Sequence, residues 1–147
     1  MCKLRMPNLE NLWKTRHFTP CKSWAYHFDE PKGKQPVGRV EPGANLLNAS
    51  ETKTKAFLAQ NCGKGRRPGS VAGHEGGEGI VYGATAYPDV TVADSVAQLH
   101  LTEDELKQEA RARAAVGFVP TSLTGYHTKD GGTRFCAVWV KYTPPKK

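Results

Sequence analysis

Three histidines, His27, His74 and His127, are the residues of this chain whose type and spacing could do chemistry together. Each follows a segment that reads as the first strand of a hairpin. Neutral imidazole is a ligand for zinc, copper or nickel, and three such ligands leave a position open for reaction. Repeats around an axis would gather the rings, whereas stacked repeats would hold them a full unit apart. A histidine bonded to a turn carbonyl is the competing interpretation. We keep a metal-dependent enzyme as one hypothesis and predict no bound metal by default.

A basic cluster, Lys64, Arg66 and Arg67, could attract phosphate groups. The whole chain of 147 residues has a net charge of +7, which favours contact with polyanions such as nucleic acid. The cluster lacks the full spacing of a phosphate loop and is shorter than a typical basic tail. An exposed basic loop is therefore the alternative to a small nucleic-acid-binding protein.

Aromatic residues could form a contact surface for a peptide or a glycan, because their rings supply contact area at low entropic cost. The candidates for ligand contact are Tyr26, Tyr126 and Trp139. Core packing competes with this role, since alternate residues of a strand must face the helices.

A Ser-x-x-Lys pattern at Ser50 and Lys53 matches the spacing at which some hydrolases place a nucleophilic serine and its activating lysine. The other elements of that machinery are missing from the sequence. A serine at a predicted helix start is already explained by capping, so we predict no catalytic residue.

The elements that would position these residues are clearest near the end of the chain. Thr102 and Glu105 form a capping-box pattern that predicts a helix start, and Gly117 predicts the helix end. Residues 122–126 and 133–140 are rich in β-branched and aromatic side chains and flank a Lys-Asp-Gly-Gly turn, which predicts a hairpin. Both faces of the second strand are apolar, so we expect that strand to be covered on both sides.

The same pattern occurs more faintly upstream. Ser50 is a capping residue for a second predicted helix over residues 54–62, and Gly63 predicts its end. Residues 90–100 are compatible with either a strand or a short helix.

Prolines at three positions, Pro20, Pro68 and Pro120, are 48 and 52 residues apart, a period typical of one supersecondary unit per repeat. We therefore predict an α+β fold of about three helix plus β-hairpin units packed into one domain over residues 1–147. The approximate units are 7–42, 50–88 and 101–144.

Cysteines and apolar runs restrict the class of protein. The four cysteines, Cys2, Cys21, Cys62 and Cys136, form no Cys-x-x-Cys pair, which argues against structural zinc and favours free thiols. The sequence shows no signal peptide and no apolar run long enough to span a membrane, so we expect a cytoplasmic protein.

Two segments carry a family resemblance: Gly117-Phe-Val-Pro-Thr-Ser-Leu-Thr-Gly-Tyr126 and Arg134-Phe-Cys-Ala-Val-Trp139. They resemble a bacterial tandem-repeat family whose units carry a "G-[YF]-x-P-x-S-[LI]-[ST]-x-Y" strand followed by "R-[YF]-x-A-V-W". The good match begins at about Leu101. Such repeats occur beside catalytic domains, including the serine-hydrolase domain of polyglycine hydrolases. The resemblance implies an accessory repeat and transfers no catalytic residue.

The sequence thus predicts a non-catalytic binding or scaffolding repeat module without a cofactor. Its partner would be a protein, peptide or glycan that contacts the repeat rims, and its oligomeric state does not follow from the sequence. The alternatives are the nucleic-acid-binding protein with Lys64, Arg66 and Arg67, and the metal-dependent enzyme.

Overall fold

The computed structural model of the protein describes residues 43–144 in full and, between residues 23 and 27, the backbone of one strand. In these residues there are seven strands and two helices. In chain order they are β1 (Ser23–His27), β2 (Ala44–Ala49), α1 (Glu51–Asn61), β3 (Arg66–Gly76), β4 (Gly79–Pro88), β5 (Val92–Leu101), α2 (Glu103–Ala115), β6 (Val119–His127) and β7 (Thr133–Tyr142).

The strands form two antiparallel sheets. The small sheet has the order β2-β4-β3, and the large sheet has the order β1-β6-β7-β5. In each sheet a hairpin, β3-β4 or β6-β7, pairs on one side with the strand that precedes the helix. The described chain is therefore mostly β-sheet with two helices.

The predicted α+β fold of about three helix plus β-hairpin units is wrong. A strand precedes each helix, so the element order is strand, helix, strand, strand in both the first unit (residues 44–88) and the second unit (residues 92–142). The predicted unit at 7–42 lies outside the described residues apart from β1. Strand β5 was one of two alternatives for residues 90–100, and the sequence did not decide between them because Asp94, Gln98 and His100 stand among the apolar residues. Such a mixture does not produce a clean two-residue alternation.

The two units share the same backbone irregularities. The hairpin register shifts between Pro68 and Ser70 in the first unit and between Pro120 and Ser122 in the second. A proline has no N–H to give to a sheet, and a bulge is one of the places where a strand tolerates it. The spacing of these two prolines therefore does mark a structural repeat.

A second shared irregularity lies just before each helix. Asn48 has a φ of 49° and His100 has a φ of 56°, and both sit at a register shift of the strand that enters the helix. Asparagine and histidine are among the non-glycine residues that tolerate this left-handed conformation best. The bend turns the chain from the strand into the helix at the same place in both units.

The helix ends follow the capping patterns of the sequence. The Thr102 hydroxyl accepts a hydrogen bond from the Glu105 N–H at 3.3 Å, and the Glu105 carboxylate accepts one from the Thr102 N–H at 2.8 Å. This confirms the predicted capping box. The Ser50 hydroxyl accepts from the Lys53 N–H at 3.4 Å, so capping accounts for the Ser-x-x-Lys pattern. The predicted helix ends are also marked by glycines with a positive φ: Gly63, at 106°, follows α1, and Gly117, at 88°, follows α2.

Apolar side chains cover the large sheet on both faces, as the sequence predicted for β7. One face packs under α2, in a cluster of Leu101, Leu106, Ala110, Phe118, Leu123, Phe135, Ala137 and Trp139. The other face packs against the first unit, in a cluster that contains Leu58, Val71, Tyr82, Ala84, Val92, Tyr126, Cys136, Val138 and Val140. We call this second contact the seam.

Neither helix of the described residues is long and apolar enough to cross a membrane.

Candidate functional site

A chain of three polar side chains crosses the seam. The Tyr126 hydroxyl lies 2.6 Å from Nδ1 of His100 and 3.2 Å from the Tyr82 hydroxyl. Tyr126 is 0% exposed and Tyr82 is 1% exposed, and their rings meet edge to face at a centroid distance of 6.3 Å. Two buried hydroxyls from different units therefore share one hydrogen-bonded chain that ends on an imidazole.

The Tyr126 ring fits into the seam because the residue that it contacts in the first unit, Gly73, has no side chain. A Cβ added to Gly73 would lie 2.7 Å from Cε1 of Tyr126 and 3.0 Å from Cε1 of Tyr82. Both distances are shorter than van der Waals contact, so only glycine lets the ring approach β3 this closely. Beside it, the Thr124 hydroxyl donates to the Val71 carbonyl at 2.6 Å and thus ties β6 directly to β3.

The His100 ring reaches the Tyr126 hydroxyl because of the left-handed bend at the end of β5. The bend lies between Gln98 and Leu101, where the pairing with β7 shifts register, and helix α2 begins soon afterwards. The strand can therefore turn one polar ring into the seam while Leu101 stays in the core under α2. The cost of the unusual φ is offset by the hydrogen bond to a buried hydroxyl.

In one direction of the hydrogen bonds, both tyrosine hydroxyls donate to a partner within the chain of three. With the His100 proton on Nε2, Tyr82 donates to Tyr126 and Tyr126 donates to Nδ1 of His100. In the reverse direction the Tyr82 proton would point out of the chain at a buried position, which costs free energy. We therefore assign the Nε2–H tautomer to His100.

The two tyrosines and the cysteine of the seam are held in their neutral forms. Burial raises the pKa of Tyr126 well above its ordinary value, with a further rise from the Tyr82 hydroxyl bond. Burial likewise raises the pKa of Tyr82, and it raises the pKa of Cys136 to about 11. At neutral pH these groups are a phenol, a phenol and a thiol, none of which is an effective nucleophile or base. The hydrogen bond between the two tyrosine hydroxyls joins the two units.

A second polar link joins the two units at the other end of the strands. Arg67 is 7% exposed, and its guanidinium donates to the hydroxyls of Tyr87 and Tyr142, each at 2.7 Å. Its Nη1 lies 3.8 Å from the Asp89 carboxylate, and its Cζ lies 4.9 Å from the centre of the Tyr87 ring. The link connects β3 of the first unit with β7 of the second.

The predicted basic cluster is therefore divided. Arg67 is turned into the protein and is already hydrogen-bonded, whereas Lys64 and Arg66 are exposed. Arg66 also donates to the Asn61 amide oxygen at 3.2 Å. Two cations, rather than three, remain on the surface for a phosphate.

The three histidines are not gathered by the pairing of the strands. His27 is opposite Ser122 in the pairing of β1 with β6, five residues along β6 from His127. Five residues of antiparallel strand span about 17 Å, so one ion with bonds of about 2 Å cannot bind both. His127 is exposed, with Nδ1 3.3 Å from the Thr133 hydroxyl.

His74 is not the counterpart of His127, although the sequence suggested it. The repeated bulge aligns Pro68 with Pro120, which places His74 at the position of Tyr126. Between residues 43 and 144, no three histidine, cysteine, aspartate or glutamate side chains come together where they could hold a metal. The side chain of His27 lies outside the described residues.

Two of the three predicted ligand contacts lie in the interior of the described structure. Tyr126 is completely buried in the seam, and Trp139 is 2% exposed in the cluster under α2. Neither ring can reach a ligand at the surface. The side chain of Tyr26 lies outside the described residues, and its backbone pairs with Leu123.

The span of the second unit can be compared with known families. Residues 92–142 match the polyglycine hydrolase-like structural repeat. The match begins at β5 and ends at β7, so this structural repeat is the complete strand, helix and hairpin. It confirms the resemblance drawn from Gly117–Tyr126 and Arg134–Trp139. No curated protein and no solved structure matches the chain significantly.

His100 and Tyr126 thus belong to a structural repeat, and Tyr82 and Gly73 belong to the unit before it. His100 was not recognised from the sequence, because residues 90–100 were compatible with either a strand or a short helix. A usable signal was present: Asn48 and His100 each precede a capping residue by two positions. Their shared place before the cap would have identified the bend in both units.

Proposed function

We propose that the protein is a non-catalytic scaffolding module in which structural repeats hold a contact rim for a protein, peptide or glycan. The observation that carries this proposal is that the imidazole, phenol and guanidinium groups between the two units are hydrogen-bonded to other side chains of the protein. Tyr82, Tyr126 and Arg67 are engaged in hydrogen bonds between the units, and His100 is bonded to Tyr126 within the second unit. Catalysis would need at least one such group to be free to meet a substrate.

The contact surface in this proposal is the rim formed by two adjoining hairpin turns. The Lys129 N–H donates to the Glu75 carboxylate at 2.6 Å, and the Lys129 ammonium lies 3.5 Å from the Gly77 carbonyl. These bonds join the β3-β4 turn to the β6-β7 turn. We call the exposed surface of the two turns the hairpin rim; it consists of Gly77, Glu78, Lys129, Asp130 and Gly131.

The hairpin rim is preorganised. Asp130 accepts hydrogen bonds from the Thr128 hydroxyl and from the Gly132 N–H, and these bonds hold its pKa below the usual value. The turn therefore presents a fixed anionic group beside the Lys129 cation. A rigid surface loses less conformational entropy on binding, which favours a role in recognition.

The proposal can be tested with arrays of peptides and glycans probed with the labelled protein. We expect a class of ligands that binds the natural protein and is weakened at least about tenfold, or about 1.4 kcal/mol, by Glu78→Lys. The matched control is Lys55→Glu, an exposed charge change on α1 that should leave binding unchanged. Absence of binding on both arrays, or equal loss in both variants, would overturn the proposal.

Nucleic-acid binding is the second candidate, favoured by the net charge of +7 and the exposed Lys64 and Arg66. A gel shift of random RNA and DNA at increasing salt separates the two. Binding that falls steeply with salt and is reduced by a Lys64→Glu/Arg66→Glu double variant would favour the nucleic-acid function.

A further inference from the structure

The two units differ in what covers the same face of their sheets. In the second unit this face is the seam, where Thr124, Cys136 and Val138 are all buried. By strand register, the counterparts of these residues in the first unit are Ala72, Gly83 and Thr85. Ala72 and Thr85 are exposed and Gly83 is half-buried. A surface that is interior in one unit is therefore open in the other.

The contrast is strongest at a pair of equivalent leucines. Leu99 of β5 packs against the seam cluster, whereas Leu47 of β2, one repeat period earlier, is 78% exposed. A leucine with this exposure leaves most of its apolar surface in water, at about 25 cal/mol per Å². Leu47 lies close to the small residues of the sheet, since a Cβ added to Gly83 would be 3.8 Å from its Cδ2.

We call this surface the open face. Its residues lie on one side of the small sheet: Asn45, Leu47, Ser70, Ala72, His74, Val81, Gly83 and Thr85. None of them is lysine, arginine, aspartate or glutamate, although the chain carries a net charge of +7. Two like-charged copies of the protein repel each other at most orientations, and an uncharged face minimises that repulsion.

The open face is also complementary to itself. Leu47 projects at the edge strand, and Ala72 and Gly83 leave a shallow surface on the neighbouring strands. A two-fold axis through the face would place Leu47 of each copy over the small residues of the other copy. This is the reciprocal arrangement that a symmetric interface requires.

We propose that the open face is the interface of a two-fold dimer, in which the small sheets of two copies pack face to face. Sheets packed in this way lie about 10 Å apart, with their side chains interdigitated. The alternative is a head-to-tail stack, in which the open face of one copy packs against the helix side of a sheet in the next copy. This stack is disfavoured, because the helix sides of both sheets are already buried within each copy. Leu58 and Val71 are 5% and 1% exposed in the first unit, and Leu123 is 3% exposed in the second.

The test is the molar mass of the full chain in solution, measured by sedimentation equilibrium over a range of protein concentrations. We expect a dimer for the natural protein and a monomer for Leu47→Asp, with the Kd of the dimer raised by at least about a hundredfold, since two buried carboxylates would face the small sheets. The control is Val90→Asp, an equally apolar and 84% exposed site in the turn between β4 and β5, which should remain dimeric.

A second variant, Ala72→Arg, tests the same face from β3 and should also be monomeric. Far-ultraviolet circular dichroism establishes that each variant is folded. A natural protein that is monomeric at every concentration overturns the proposal. A dimer that persists in both Leu47→Asp and Ala72→Arg overturns it as well, and places the contact on another surface.

Discussion

The ring of Tyr126 lies against the backbone of Gly73, so closely that a methyl group on that glycine would be 2.7 Å from the ring. The two residues come from different units, and their contact sets how closely the hairpin β3-β4 approaches the large sheet. The hydroxyl of the same ring then joins Tyr82 to His100. One side chain therefore supplies both the shape and the hydrogen bonding of the seam.

Substitution of Gly73 by alanine should destabilise the protein by about 1–3 kcal/mol, because overpacking forces side chains and backbone apart. The Tyr126 ring has no room to retreat, since it is 0% exposed. Urea unfolding measures the change in the free energy of unfolding. Gly77→Ala is the control: it lies in the turn of the same hairpin, where an added Cβ meets nothing within 4 Å. A Gly73→Ala protein as stable as the Gly77→Ala protein would contradict the seam geometry.

The hydrogen-bonded chain should show strong coupling between its members. Tyr126→Phe removes both bonds of the central hydroxyl and leaves Tyr82 buried without that partner, so we expect a loss of about 1–3 kcal/mol. Tyr82→Phe removes one end of the chain and should cost less. The double variant should be more stable than the sum of the single losses predicts, as in other polar networks. Simple additivity in a double-mutant cycle by urea unfolding would show that the chain does not act as a unit.

The stability of the seam should fall at alkaline pH because of Cys136. Burial raises the pKa of this thiol from 9.0 to about 11 in the folded protein. Below pH 9 the thiol is protonated in both the folded and the unfolded chain, so its contribution is complete. Between pH 9 and 11 the unfolded chain loses the proton first, which lowers the free energy of unfolding by about 2 kcal/mol in total.

The matched protein for this measurement is Cys136→Ala, unfolded in urea under reducing conditions at each pH. It lacks the thiol and should show a shallower decline over the same range. Tyr82 and Tyr126 also have raised pKa values, but both proteins contain them, so their effect cancels in the difference. Parallel stability curves for the two proteins would be inconsistent with a buried, neutral thiol.

Adjacent arginines should behave differently. Arg67→Ala removes two hydrogen bonds to tyrosine hydroxyls and a buried cation, so we expect a loss of at least about 2 kcal/mol by urea unfolding. Arg66→Ala, at an exposed position, should change stability by less than about 0.5 kcal/mol. Equal effects would mean that the buried link between β3 and β7 contributes little.

Local structure was predictable where a signal depends on neighbouring residues. The capping box at Thr102 and Glu105, the glycines after both helices and the hairpin over β6 and β7 were all found from the sequence. Each depends on hydrogen bonds or backbone angles within a few positions. Of the strands before the helices, β2 was not found and β5 was left undecided between strand and helix, because both pair with strands far along the chain and carry mixed polar and apolar residues.

The candidate site was harder to predict than the elements. Tyr126 was proposed as a ligand contact because an aromatic ring supplies contact area, and no pattern within one strand shows which face another unit covers. His74 was grouped with His127 because both follow a predicted first strand, whereas the repeated bulges align His74 with Tyr126. Arg67 read as a surface cation because its tyrosine partners lie 20 and 75 positions away.

The sequence by itself determined the caps, the turns, the bulge prolines and the family of residues 92–142, because short-range sterics and local hydrogen bonds specify these features. Only the tertiary structure decided that one sheet face becomes the seam while its counterpart stays open. That outcome depends on the fit of Tyr126 over Gly73, a contact between two sheets. Such a fit is a property of packed surfaces, and no periodicity along a single chain segment encodes it.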